Sequence, residues 1–509
     1  MIRVPAFPKH LKPVCIHRDQ AILTSPEGDT LVTGPWCGEL AARVDGRTTR
    51  FELVTTLGTP ADRLQILDTI LRLHEGGLLV DAAPHPLDPS VLDFSPAPAD
   101  DSRLLRLADP PGAIVPYLQR RDTADDFLHV VWAPQRMPAA CERRSGDETR
   151  VAVGTGLTER EASIACIGEA VERLSVCFDG TERIVRGRAS ELDAPAVLAS
   201  SLLLISDVQY GTRETFNSSG GGEMWLPEPP EESRATDWTP VWSLTRGERR
   251  YVPAAYCFLR YPSESPESFS GDSNGCAAGR SLEDSIIRAF CELVERDSLA
   301  LWWYNRTPRP AFDAMDVGGD LAAHIRGRFA ETGRTLHLLD LTSDLGIPVV
   351  AAISARLDGS GVAFGFGANL RVRAAARRAL LEMQQVLGAL ASPNRGAWLD
   401  RWAAEVNLAR ERWLAPEPGQ VSKGGDAATE GAGDLAHCVE AARRRGLEVL
   451  AANVTRPGIE VPVARVIVPG LRPAAPRFAA GRLYDVPVAL GWQKAPLPEQ
   501  ELNPFPFFL

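Results

Sequence analysis

Gly275-Cys276-Ala277-Ala278-Gly279-Arg280-Ser281-Leu282-Glu283-Asp284, continued at Glu292-Leu293-Val294-Glu295-Arg296-Asp297, decides the reading of this chain. Gly275 and Gly279 mark a loop, and Ser281-x-x-Asp284 is a capping box that starts a helix. Ile286, Ile287, Leu293 and Val294 make the following helix largely apolar. The same run occurs earlier. Gly154-Thr155-Gly156 precedes Thr158-x-x-Glu161, and Glu169-Ala170-Val171-Glu172-Arg173 begins eight residues after Glu161, as Glu292 stands eight after Asp284. A spacing of three puts Glu169 with Glu172, and Glu292 with Glu295, on one helix face. Taken singly, Glu169–Arg173 and Glu292–Arg296 are ordinary i,i+4 surface pairs. Carboxylates on an apolar face are costly unless cations compensate them. Two matching units of loop, cap and paired carboxylates therefore point to Glu169, Glu172, Glu292 and Glu295 converging on metal cations or arginines, and Mg2+ suits oxygen ligands and bridges to phosphates.

A third unit adds to the set. Gly365-Phe366-Gly367-Ala368-Asn369 precedes a helix from about Val372 that carries Arg377, Arg378, Glu382, Gln384 and Gln385. Arginines hold phosphate oxygens in a fork, and Glu382 suits a metal or a ribose. No G-x-x-x-x-G-K-[ST] loop occurs, and the chain has only four lysines, Lys9, Lys12, Lys423 and Lys494. A bound nucleotide would have to be held by glutamates, metal and arginines in place of a phosphate-binding lysine.

Around these units the chain is ordinary. It has 509 residues, 44% apolar and 24% charged, with a net charge of −11. That length predicts about two or three domains, and that charge argues against wrapping nucleic acid. Nine cysteines with no C-x-x-C pair favour neither zinc nor a disulfide framework, and a reducing cytoplasm fits best. No signal peptide and no membrane-spanning run is read. Residues 1–83 read as a small winged-helix-like module: strands near Val14–Ile16, Ala21–Leu23 and Leu31–Thr33, a helix opened by Pro35, a longer helix from about Ala61, and a closing strand at Leu78–Val80. Residues 84–126, rich in proline and aspartate, are expected to be a linker with little structure. Residues 217–237 and 416–433 look like loops. The rest, 127–509, alternates helices and strands, so the expected class is mixed α/β.

Taken together, these motifs resemble the YcaO family. Ser273-Asn274-Gly275-x-Ala277-x-Gly279 with Glu292-x-x-Glu295-Arg296-Asp297 is similar to its central signature, and Glu169-x-x-Glu172-Arg173 to its first nucleotide motif. Val468-Pro469-Gly470-Leu471 and the run from Gly481 to Gly491 resemble the SagD-like branch, which matures thiazole/oxazole-modified peptides. The resemblance implies an ATP- and Mg2+-dependent cyclodehydratase that closes Cys, Ser or Thr of a ribosomally made peptide into azolines. It implies ATP contacts at Glu169, Glu172, Arg173, Ser273, Asn274, Asp284, Glu292, Glu295, Arg296, Arg378 and Glu382. It also implies a C-terminal tail reaching the active site, with Pro504, Pro506 and the terminal carboxylate of Leu509 in catalytic roles. Three positions depart from the family pattern: Ala165 where Ser is usual, Asp284 where Glu is usual, and Arg378 where Gln is usual. Implied partners are a precursor peptide, whose leader adds a strand to the N-terminal module, a separate E1-like protein, a flavin dehydrogenase acting downstream, and a second copy in a homodimer.

Rival readings are thioamide or amidine formation by the same amide activation, and a non-catalytic peptide-binding scaffold. A serine hydrolase is also possible on paper, because Gly271-Asp272-Ser273-Asn274-Gly275 fits G-x-S-x-G, with His324, His337 and His437 downstream. The polar, proline-broken run before Ser273 argues against the buried strand such a nucleophile needs.

Overall fold

The computed structural model describes residues 5–8, 11–25, 28–45, 48, 50–81, 88–94, 101–108, 114–121, 127–134, 151–218, 224–262, 269–392, 395–427, 433–456, 459 and 461–507. The fold is mixed α/β, as the alternation of periodicities predicts.

Three strand–helix units organise it. Strand Val151–Gly156 leads into helix Glu159–Val176, strand Cys276–Ala278 into helix Leu282–Asn305, and strand Ala363–Ala368 into helix Val372–Ala391. Both predicted capping boxes form. Thr158 Oγ1 accepts the Glu161 N–H at 3.2 Å while Glu161 accepts the Leu157 N–H at 2.9 Å. Ser281 Oγ accepts the Asp284 N–H at 3.1 Å while Asp284 accepts the Arg280 N–H at 2.9 Å. The third helix lacks a local side-chain cap, and Asp426 receives its Val372 N–H at 2.8 Å instead.

Glycines let each helix lie close on its own strand. A Cβ at Gly154 would sit 2.0 Å from the Ala162 carbonyl oxygen, and one at Gly365 would sit 2.2 Å from that of Ala379. Any side chain at either position pushes the helix away.

The first strand belongs to a three-stranded antiparallel sheet with Gln119–Arg121 and His129–Pro134. The second is the edge of a larger antiparallel sheet, next to Val463–Ile467, then Leu450–Asn453, Thr236–Ser243 and Glu248–Pro253. The third is the edge of a five-stranded sheet, followed by Val349–Ser354, His337–Asp340, Arg309–Ala311 and Pro416–Val421. Helix Leu282–Asn305 is buried on every side from Asp297 to its end. Such a helix is a core element rather than a surface one, and it joins the second and third units in one apolar core.

At the N-terminus, strands Lys12–His17, Gln20–Ser25 and Gly28–Thr33 form an antiparallel sheet in that order. Helices Cys37–Arg43, Arg50–Thr56 and Arg63–Glu75 accompany it, and Leu40, Leu53, Ile66, Ile70 and Leu73 are buried among them. The helix Arg50–Thr56 has no counterpart in the sequence reading.

The segment 84–126 carries more structure than its composition suggests. Its described residues include helix Asp101–Arg106, and Leu107 and Val115 are buried in the core beside the first carboxylate helix. Asp88 pairs with Arg183 at 2.7 Å. Within 416–433, read as a loop, Pro416–Val421 is a strand paired in parallel with Arg309–Ala311. No described helix is long and apolar enough to cross a membrane.

Candidate active site

Five glutamates from the three helices each hand one oxygen to a backbone N–H at a strand. Three reach back to their own unit: Glu169 to Val153 at 2.6 Å, Glu292 to Gly275 at 3.1 Å and Glu382 to Phe366 at 2.6 Å. Two reach forward to the next unit: Glu172 to Ala278 at 2.9 Å and Glu295 to Ala368 at 2.9 Å. The third helix has Gln385 where the other two have their second glutamate, and Thr155 of the first strand donates to it at 3.3 Å. The units thus close into a ring, each helix held by two strands. Each N–H bond fixes one oxygen of its carboxyl group in place.

Their carboxyls also act on one another. Burial pushes Glu172 up to about 8, and the negative charges of Glu292 and Glu169 push in the same direction. Burial pushes Glu382 up to about 7, followed by the charge of Glu295. Glu169 and Glu292 are raised as well, again mainly by burial. Like charges brought together out of water disfavour ionisation.

Two arginines offset part of this. Arg296 meets Glu295 at 2.6 Å, Glu292 at 3.5 Å and the Asn274 side-chain oxygen at 3.2 Å. Arg378 interacts electrostatically with Glu295, Glu292 and Glu382 while remaining open to solvent. Arg173 is engaged elsewhere, with Glu169 at 2.5 Å and the Val151 carbonyl at 2.9 Å. Asp284 stands apart from the cluster. It caps its own helix and pairs with Arg288 at 2.9 Å.

Among the described residues, no three His, Cys, Asp or Glu side chains close on a single point. The expected set of Glu169, Glu172, Glu292 and Glu295 is therefore a coupled group rather than an all-protein metal cage. That suits Mg2+, which commonly binds through one or two carboxylates plus phosphates and waters. Glu172 and Glu382 fit best, because each has a second oxygen with no hydrogen-bond donor among the described residues.

Ser273 is exposed on a loop that leads into strand Cys276–Ala278. A nucleophile elbow needs a turn from strand to helix, and His324 is occupied by the Phe127 ring at 4.2 Å. The hydrolase reading is set aside on this geometry.

The tail docks on aromatic residues. Trp303 Nε1 donates to the Phe505 carbonyl at 2.8 Å and Trp398 Nε1 to the Pro506 carbonyl at 3.0 Å. Phe507 is buried against Trp303, Phe364 and Phe366, while Pro504 is exposed. Leu509 lies outside the described residues. The tryptophans that hold the tail, and the strand N–H groups that donate to the glutamates, are parts of this arrangement that motif spacing alone did not single out.

Residues 153–472 match the family described as YcaO cyclodehydratase, ATP- and Mg2+-binding. The chain belongs to the YcaO family, whose ligands are ATP and Mg2+. It is similar to a heterocyclase solved in complex with substrate and cofactor, at 32% identity and a TM-score of 0.75, over 96% of this chain and 64% of that one. It is also similar to the heterocyclase TruD, at 25% identity and a TM-score of 0.62, over 100% of both chains. The YcaO protein of Methanopyrus kandleri, solved with AMPPCP and Mg2+, shares the fold at 24% identity and a TM-score of 0.51, over 70% of this chain and 86% of that one. An uncharacterized protein of Methanothermobacter thermautotrophicus is 30% identical over 167 residues, which span 31% of this chain and 43% of that protein. The chain thus matches less than half the length of that relative.

Proposed function

We propose that this YcaO protein uses ATP to activate backbone amides of a ribosomally made peptide and closes Cys, Ser or Thr side chains into azolines. One observation carries the reading: five strand-anchored glutamates from three helices converge beside Arg296 and Arg378, in a chain with no lysine loop for phosphates. Likeness to heterocyclases over nearly the whole chain supports it.

In this reading Glu169, Glu172, Glu292, Glu295 and Glu382 would hold nucleotide and Mg2+, which would supply neutralising charge for the triphosphate. Arg296 and Arg378 face the phosphates, and Asn274 orients Arg296. The substrate side chain adds to the preceding carbonyl carbon. The former carbonyl oxygen, still bonded to that carbon, takes the γ-phosphoryl group of ATP as ADP leaves, and then departs as phosphate while the amide nitrogen forms C=N. The protein's work is positioning and charge neutralisation. The reading also assigns proton transfer to the terminal carboxylate of Leu509.

The N-terminal module supports a second element, capture of the leader. Val14, Ile16 and Leu31 are large apolar residues exposed on its edge strands. An extended peptide adding a strand there would cover them. A separate E1-like protein and a downstream flavin dehydrogenase are the partners this scheme calls for.

The test is mass spectrometry of a precursor peptide encoded beside this protein, incubated with the full chain, ATP and Mg2+. The reading expects one water's mass lost per ring, with one ADP formed. Turnover that adds sulfur or nitrogen to the peptide selects thioamide or amidine formation. No nucleotide binding at millimolar Mg2+ selects a scaffold.

A further inference from the structure

We propose that a small cleft beside the glutamate cluster is a seat for a tetrahedral oxyanion, namely the phosphoryl group once it has left ATP, first as the substrate's phosphate ester and then as inorganic phosphate. The inference rests on the ATP reading above and assigns a second place to the transferred group.

Asn274, Arg296, Tyr256, Asp272, Arg465 and Arg472 line the polar side of the cleft. Arg296 and Asn274 join it to the carboxylates, since Arg296 bonds both Glu295 and Asn274. Arg465 and Arg472 are 1% and 2% exposed. A buried guanidinium normally faces a carboxylate, but these two are held chiefly by backbone carbonyls. Arg465 donates to the carbonyls of Asp272 at 2.7 Å, Asn274 at 2.6 Å and Tyr256 at 3.2 Å. Arg472 donates to those of Arg477 at 3.3 Å and Ala480 at 2.6 Å.

The carboxylates nearby do not cancel this charge. Asp272 lies 3.6 Å from Arg465 with its side chain 61% exposed. Asp297, which also acts on Arg472, is taken by Arg482 at 2.6 Å. Tyr256 is pushed by burial up to about 12 and so stays neutral. Each guanidinium keeps one buried Nε–H that meets no acceptor among the described residues. Carbonyl anchoring fixes two cations without neutralising them and leaves each a donor, the arrangement that suits an oxyanion.

The chemistry needs such a place. The bond from the γ-phosphorus to the ADP oxygen breaks as one forms to the substrate oxygen. The carbon–oxygen bond then breaks, the nitrogen lone pair forms C=N, its proton goes to solvent, and both electrons of the broken bond leave on phosphate. The leaving group gains negative charge in that step. Cations fixed in advance stabilise such charge without reorganising.

The test is inorganic phosphate binding to the full chain, followed by phosphorus NMR without nucleotide, together with phosphate inhibition of turnover. Arg465→Lys and Arg472→Lys keep the charge and lose the Nε–H. Each is expected to weaken phosphate about tenfold or more while Mg-ATP affinity by calorimetry shifts less than about twofold. If either fails to fold, Asn274→Asp sets a carboxylate at the cleft and must weaken phosphate likewise. Undiminished phosphate binding in the folded variants overturns the proposal. So does wild-type protein that binds no phosphate. Failure of wild type to bind Mg-ATP, with phosphate still bound through Arg465 and Arg472, would fault the ATP reading and leave the anion seat standing.

Discussion

The ring of Phe507 lies 5.6 Å from the ring of Phe366, and the N–H of that same Phe366 is the one held by Glu382 at 2.6 Å. Tail and carboxylate cluster thus share a single residue. Phe507→Ala removes a fully buried aromatic side chain, a loss of about 3–5 kcal/mol in a core. Here the loss falls on docking of the chain end. We expect turnover to fall by about tenfold or more, with Mg-ATP affinity by calorimetry changed much less. Equal loss of both would show that the tail also holds nucleotide.

The pH dependence of stability follows from Glu172 and Glu382. Their carboxyls sit near 8 and near 7, against an ordinary value of 4.5. The folded protein therefore binds more protons than the unfolded chain across that window. This contribution is fully present below 4.5 and is lost as pH rises toward 8. Thermal melts without nucleotide should show it, and Glu172→Gln should flatten the slope.

Ligand binding runs the opposite way. Metal needs the carboxylates ionised, so Mg-ATP should release protons when it binds near neutral pH. Calorimetry in buffers of different ionisation enthalpy checks this. Removing Mg2+ with a chelator should abolish ATP binding. Glu172→Gln and Glu382→Gln should each weaken Mg-ATP about tenfold to a hundredfold without loss of folding, because like-charge crowding is relieved.

The N-terminal sheet offers two edges, Lys12–His17 and Gly28–Thr33. Ile16→Glu and Leu31→Glu alter exposed side chains and should cost about 0.5 kcal/mol of stability or less. The edge that takes the leader will be the one whose variant weakens leader binding by fluorescence anisotropy. If neither does, capture by strand addition is wrong.

Much of the site was readable because helix geometry is local. A spacing of three places Glu169 beside Glu172 whatever the rest of the fold does. The N–H groups of Ala278 and Ala368 were not readable, since their meeting with Glu172 and Glu295 depends on packing between units. Asp284 was readable as a cap, and the structure shows that capping box formed. Arg465 left a clue: it interrupts the apolar strand Val463–Ile467, where a lone charge requires explanation. The segment 84–126 reads as loose by its prolines, yet Leu107 and Val115 had apolar partners waiting in the core.

The ring of strand–helix units also limits how such a protein can change over generations. Glu169, Glu292 and Glu382 lie 16, 17 and 16 residues beyond the N–H groups that hold them. Insertions between those points would dislodge a ligand in one unit and, through the forward bonds, loosen its neighbour. Lengthening is free to accumulate outside these intervals, so relatives should vary in size there and keep these three distances almost unchanged.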